Sequence, residues 1–130
     1  MTNIPKDLLY TKEHEWIRVE GDVGVVGITD YAQHALTDIV FVELPAQGKK
    51  IDQSKGLTVV ESVKSVSDVY APVAGEVVEA NSSLKANPEL VNHDPYGKGW
   101  IAKLKISSKD QLKTLMGPEQ YEKYLQEQKH

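Results

Sequence analysis

The chain contains no cysteine. That absence removes disulfides, thiolate metal sites and a cysteine nucleophile together, and it fits a reducing, cytoplasmic compartment. Positive charge is also short: 15 Lys and Arg face 19 Asp and Glu, for a formal net charge of -4. Phosphate backbones require a basic face, so no nucleic acid is expected as a partner. No apolar run approaches the roughly 18 residues of a membrane span, so no membrane is expected either. The opening MTNIPKDLLY lacks the apolar region of a secretory signal and the arginine-rich pattern of a transit segment, so a cytoplasmic protein is expected. Motifs for nucleotides and nucleophiles are missing as well. GDVGVVG (Gly21–Gly27) reads as part of a hairpin and not as a phosphate loop opening a helix. No G-x-S-x-G or Ser/His/Asp set is suggested. His14, His34, His93 and His130 form no ligand spacing, so no metal site is expected.

What is present reads as one β-rich domain, residues 1–130, long enough to bury roughly two-thirds of its unfolded surface. HEWIRVE (His14–Glu20) alternates with period two, EGD turns, and VGVVGIT (Val23–Thr29) is short and β-branched, which together predict a hairpin. TDYAQHAL (Thr29–Leu36) shifts to helical spacing, with Thr29 or Asp30 as the cap and Gln33 at capping-box distance from Asp30. DIVFVELP (Asp38–Pro45), GEVVEA (Gly75–Ala80) and WIAKLKI (Trp100–Ile106) read as strands, with NPELVN and HDPYGKGW as turns. From Ser107 the pattern predicts two helices, SSKDQLKTLM and PEQYEKYLQEQKH, separated by Gly117 and opened by Pro118.

The ribbon VVESVKSVSDVYAPVAGEVVEAN (Val59–Asn81) holds a single lysine, Lys64. Val59, Val60, Val63, Val66 and Tyr70 would line one helical face. Five valines and three serines between Val59 and Val69 nevertheless favour strands. Gly56 before and Pro72 with Gly75 after supply turns. Two strands, about Leu57–Ser62 and Ser67–Ala71, then meet at a tight turn around Lys64. The ordinary reading of Lys64 is a solvated turn lysine. The chemical readings are a Schiff-base lysine, or an amine exposed on a rigid ribbon so that an enzyme can amidate it with a carrier cofactor. Glu13, Glu15 and Asp68 are ordinarily solvated acids, and Asp68 lies four residues beyond Lys64.

ESVKSVSD resembles the lipoyl-attachment hairpin of the glycine cleavage system H-protein family. YTKEHEWI, GITDYAQ, DIVFVELP, APVAGEVVEAN and NHDPYGKGWIAKLK resemble the same family, in order, from about Leu9 onward. The resemblance implies a mainly β (α+β by count) barrel-sandwich hybrid. This is a lipoyl-domain-like flattened β-sandwich, core about 9–106, with a short inserted helix and a C-terminal helical segment at about 107–130. It implies that Lys64 carries covalent lipoate as N6-lipoyllysine, and that the chain is a non-catalytic carrier, monomeric when free. Its partners would be the P protein (glycine decarboxylase), the T protein (aminomethyltransferase), the L protein (dihydrolipoyl dehydrogenase) and a lipoylating ligase or transferase. By position, Glu15 and Asp68 match the acids associated with holding the loaded arm, and Glu13 is adjacent. His34 falls one position before the site where some relatives carry a histidine and is not assigned to the arm. Such a carrier makes physical sense. A tether raises the effective concentration of cargo, a strained disulfide exchanges readily, and carboxylates give a cationic amine charge-assisted hydrogen bonds.

Two other readings stand beside this one. A lipoyl relay donor for 2-oxoacid dehydrogenases would share the fold. A biotinyl carrier domain usually presents Met on both sides of its lysine, where this chain has Val63 and Ser65. A small enzyme finds no nucleophile–base pair to support it.

Overall fold

The computed structural model describes residues 3–127. Its first strands are β1 (Leu9–Tyr10), β2 (Glu15–Glu20) and β3 (Val23–Ile28). β2 and β3 pair antiparallel from Glu15 opposite Ile28 to Glu20 opposite Val23, the hairpin that alternation predicts. Gly21 turns it at φ +66°, where a Cβ would be strained. Gly27 serves packing: a Cβ there would stand 2.7 Å from the ring of fully buried Trp16. The indole N–H donates to the carbonyls of Ile28 and Pro95, both at 3.0 Å.

Helix α1 (Asp30–Leu36) begins where the period changes, and Thr29 is its cap, accepting the Ala32 N–H at 3.2 Å. Asp30 accepts instead from the Gln33 amide at 2.8 Å, so that pair is a side-chain contact and not a capping box. β4 (Ile39–Val42) is shorter than the predicted Asp38–Pro45, and the two-residue β5 (Lys50–Ile51) was not foreseen. β6 (Gly56–Ser62) and β7 (Val66–Tyr70) form the predicted ribbon within a residue or so at each end. β8 (Gly75–Ala80) follows as expected. The turn-rich stretch contains two one-turn helices, α2 (Ser83–Ala86) and α3 (Leu90–His93), which bury Leu84 and Val91. The last strand, β9 (Ala102–Ile106), starts two residues later than predicted. The first C-terminal helix is a 3₁₀ helix, Lys109–Thr114, with no fully buried residue, though Leu112 packs against the main core. Pro118 opens α4 (Pro118–Glu127). His130 lies outside the described residues.

The strands form a six-stranded sheet, β1-β2-β3-β9-β8-β5, and a three-stranded sheet, β4-β6-β7. Every strand pair is antiparallel. Ile17, Val26, Val77 and Leu104 from the first sheet and Val42, Val60 and Val69 from the second share one core. The architecture is a β-rich open sandwich with helices, as predicted. A second cluster joins Leu8, Tyr10, Trp16 and Val25 to Met116, Tyr121 and Leu125, so buried packing extends beyond the 9–106 core. Tyr10 and Tyr121 stack at 4.6 Å and 5°, and Tyr10 exchanges two backbone hydrogen bonds with Met116 at 2.8 Å. A ten-residue helix is marginal alone. Burying Tyr121 and Leu125 stabilises it by about 2 kcal/mol each.

Candidate functional site

The β6–β7 turn is held mostly by bonds centred on Ser62. Ser62 N–H donates to the Ser65 carbonyl at 2.8 Å. The Ser62 hydroxyl accepts the N–H groups of Lys64 at 3.1 Å and Ser65 at 3.0 Å. A serine hydroxyl that satisfies two turn amides fixes a tight turn without glycine. Val63 N–H reaches across to the Asp38 carbonyl at 3.0 Å, tying the turn to the entry of β4. Lys64 is exposed, and its Nζ donates to the Ala35 carbonyl, in the last turn of α1, at 3.1 Å. An ammonium at a helix C-terminus meets the negative end of the helix dipole, a weak interaction at an exposed site. The lysine is therefore presented on a fixed backbone with its amine open to solvent.

At the other end of β7 the chemistry is different. A cleft of about 400 Å³ is bounded by the Tyr10–Glu15 segment, by Gln53 and Ser54, by Tyr70–Pro72 and by Thr114–Met116. Glu15 lines it yet is only 1% exposed. Thr11 hydroxyl donates to Glu15 Oε1, and Tyr70 N–H, from the three-stranded sheet, donates to Oε2 at 3.0 Å. Burial pushes the Glu15 carboxyl up to about 7. The Thr11 and Tyr70 bonds oppose that rise, and the charge of Glu13 adds to it. Among the described residues Glu15 forms no ion pair. The result is a buried acid with two neutral donors and no countercharge, a group whose ionised form lacks only a cation.

The turn that presents Glu15 is anchored from behind. His14 adopts φ +70°, an uncommon left-handed conformation for a residue with a Cβ. Its ring lies 4.6 Å from that of Tyr31, and Nδ1 is 2.9 Å from the Tyr121 hydroxyl. That hydroxyl is 2.8 Å from Thr29 Oγ1. Burial lowers the His14 pKa, opposed by the charge of Glu13. A neutral imidazole accepting from Tyr121 satisfies the chain of contacts.

Of the acids singled out from the sequence, Glu13 and Glu15 line the same cleft, Glu13 exposed at the surface and Glu15 buried within it. Asp68 is exposed on β7 and lines a separate hollow with Glu43, Lys49 and Val59. His34 is exposed, and neither the cleft nor that hollow includes it. Sequence reasoning missed Thr11, the Tyr70 amide and Ser62. Thr11 stands four residues before Glu15, a spacing with no meaning until the turn between β1 and β2 is known. A backbone amide carries no sequence signal at all.

The family model described as Glycine cleavage H-protein matches residues 8–128. The chain is 58% identical over 125 residues to the glycine cleavage system H protein of Halothermothrix orenii, covering 96% of this chain and 98% of that protein. It is 55% identical over 124 residues to the protein of the same name from Thermus thermophilus, covering 95% and 97%. The crystal structure of a glycine cleavage system H protein from Mycobacterium marinum superposes with a TM-score of 0.82 at 35% identity, covering 96% of this chain and 98% of that one. Family model, relatives and fold agree over nearly the whole chain: it belongs to the glycine cleavage H-protein family.

Proposed function

We propose that this chain is the lipoyl carrier of a glycine cleavage system, with lipoate joined by an amide to Lys64 Nζ. The observation that carries the reading is the exposed Lys64 on a turn fixed by Ser62, within a chain of this family. A modifying enzyme needs an amine it can approach from outside on a backbone that does not give way, and this turn supplies both. Lipoate would supply an exchange-active disulfide that takes up the aminomethyl group of glycine and is reclosed by oxidation.

The residues present fit such a group. The Tyr10–Glu15 cleft combines apolar walls with a carboxyl, suiting an aliphatic arm that ends in an ammonium. Glu15 accepts charge there, Glu13 adds negative potential at the surface, and Asp68 acts along the ribbon on the approach. The chain itself performs no bond chemistry. It presents cargo to the P, T and L proteins from the cytoplasm, as a monomer between encounters, and receives lipoate from a ligase or transferase.

Intact-mass measurement after co-expression with a lipoylating enzyme tests the reading. The wild-type chain should gain one lipoyl increment and Lys64→Ala none. A wild-type chain that stays unmodified, or a Lys64→Ala chain that still gains the increment, rejects it.

A further inference from the structure

We propose that Thr11 is the positioning residue of the cleft: its hydroxyl holds the Glu15 carboxylate in the orientation and anionic form that accepts a primary ammonium group. The identity of the natural ammonium rests on the lipoyl-carrier reading above; the Thr11–Glu15 coupling does not.

The hydrogen-bond directions carry the argument. Glu15 N–H donates to Thr11 Oγ1 at 3.1 Å, which fixes the hydroxyl oxygen as an acceptor from the backbone. The single hydroxyl proton is then left for Glu15 Oε1, which it reaches. Thr11 N–H in turn donates to the Glu15 carbonyl at 3.0 Å, so the two residues clasp each other across the turn. Oε2 faces Tyr70 N–H, which cannot accept a proton. Both carboxyl oxygens thus meet donors. A neutral acid would have to place its own proton elsewhere or displace one of them, so this pair of contacts favours the anion. Burial favours the neutral acid. The two tendencies are opposed in a carboxyl that makes no ion pair among the described residues. An arriving cation settles the opposition in favour of the anion. A thiol, a hydroxyl or a second carboxylate would not.

The surroundings leave Thr11 as the main lever. Glu13 and Lys12, from the same turn, are exposed and partly screened by solvent. Tyr10 from β1 and Tyr70 from β7 are the other titratable groups lining the cleft. Burial raises Tyr10 far above its ordinary value, so it stays neutral. The remaining walls, among them Gln53, Pro72, Thr114 and Met116, carry no titratable side chain. Acidification would therefore release the ammonium by protonating Glu15.

The test uses the full, unmodified chain with ¹³C-labelled glutamate, the Glu15 carboxyl resonance being assigned with Glu15→Gln. Its titration midpoint is compared in wild type, Thr11→Val and Thr11→Ser. Valine keeps the shape of threonine without the donor; should it not fold by near-UV circular dichroism, Thr11→Ala serves in its place. Loss of a charge-assisted hydrogen bond should raise the midpoint by about one pH unit, and serine should restore it. Methylammonium chloride is then titrated at pH 7.5 against tetramethylammonium chloride at equal ionic strength. Wild type and Thr11→Ser should show a saturable, methylammonium-specific shift of the Glu15 resonance, weakened several-fold in Thr11→Val. Equal midpoints in all variants, or a methylammonium response that does not depend on Thr11, would overturn the proposal. Failure of Lys64 to take lipoate would overturn the carrier reading alone, because neither measurement requires the modified chain.

Discussion

At the β6–β7 turn Lys64 is exposed and its neighbours Val63 and Val66 are 68% and 66% exposed, whereas at the far end of β7 the Tyr70 amide meets a carboxyl that is 1% exposed. One hairpin serves both places. The turn is held by short-range bonds from Ser62 and one long-range bond to Asp38. The cleft end is held by a clasp between two sheets and by the aromatic cluster behind it. On the carrier reading proposed above, attachment needs an amine that an enzyme can reach, which matches an exposed turn. On the same reading, capture of a cation needs a carboxyl partly stripped of water, which matches an ionisable group in a packed seam. The carrier reading gives each arrangement a purpose that the other could not serve.

The largest expected contrast between the two regions is in stability. Trp16 is fully buried, donates two hydrogen bonds and packs on Gly27. Trp16→Ala should cost about 3–5 kcal/mol in urea unfolding. Val63→Ala, on the turn, should change stability by less than about 0.5 kcal/mol. A turn substitution costing more than about 2 kcal/mol would mean that the hairpin tip is part of the folding core, and the division would fail.

A smaller effect, on the pH dependence of stability, is expected at Glu15. Its carboxyl has an ordinary value of 4.5 and is pushed up to about 7 by burial. Across that window the folded chain binds more protons here than the unfolded chain, so this group makes stability fall as pH rises. The full difference amounts to on the order of 3 kcal/mol by pH 8. His14 slopes the other way: its lowered pKa means that it contributes stability above its unfolded value, lost as pH falls. Comparing Glu15→Gln with wild type cancels the His14 contribution. The variant should lose the Glu15 slope between pH 4.5 and 7. Parallel curves for the two proteins would place Glu15 among ordinary structural acids and remove the asymmetry between cleft and turn.

Much of this arrangement was legible in the sequence. The hairpin around Lys64 could be read because valine-rich composition and bracketing Gly56 and Pro72 outweigh an accidental helical spacing. Its place as the lone lysine of the ribbon singles out Lys64; resemblance, not periodicity, gives it a role. Glu15 was named from its HEW context, but its burial was not, since an acid in a strand is ordinarily solvated. The two-residue β1 and β5 escaped because strands that short have no period. The one-turn helices α2 and α3 escaped because Pro88, Asn87 and Asp94 read as turn residues there. The helical pattern of the C-terminal segment is legible, but its docking place is not: Tyr121 and Met116 complete an aromatic core with Tyr10 and Trp16, a contact across more than a hundred residues that no local pattern announces.

The smallest expected effect concerns how the turn is held. Ser62→Ala removes the acceptor for the N–H groups of Lys64 and Ser65 while leaving the Ser62–Ser65 backbone bond in place. Both freed amides belong to exposed residues and can be hydrated, so the cost should stay below about 1 kcal/mol, well short of that for a buried unsatisfied donor. The local consequence should be larger than the global one. Hydrogen exchange at Lys64 and Ser65 should quicken by about tenfold, while exchange at Val60 and Val69, deep in the same two strands, should be unchanged. Equal acceleration at all four amides would show that Ser62 holds the whole ribbon. Confined acceleration would show that the turn is a local device, so that the orientation of Lys64 can be altered without disturbing the Tyr70 amide on which the Glu15 carboxylate depends.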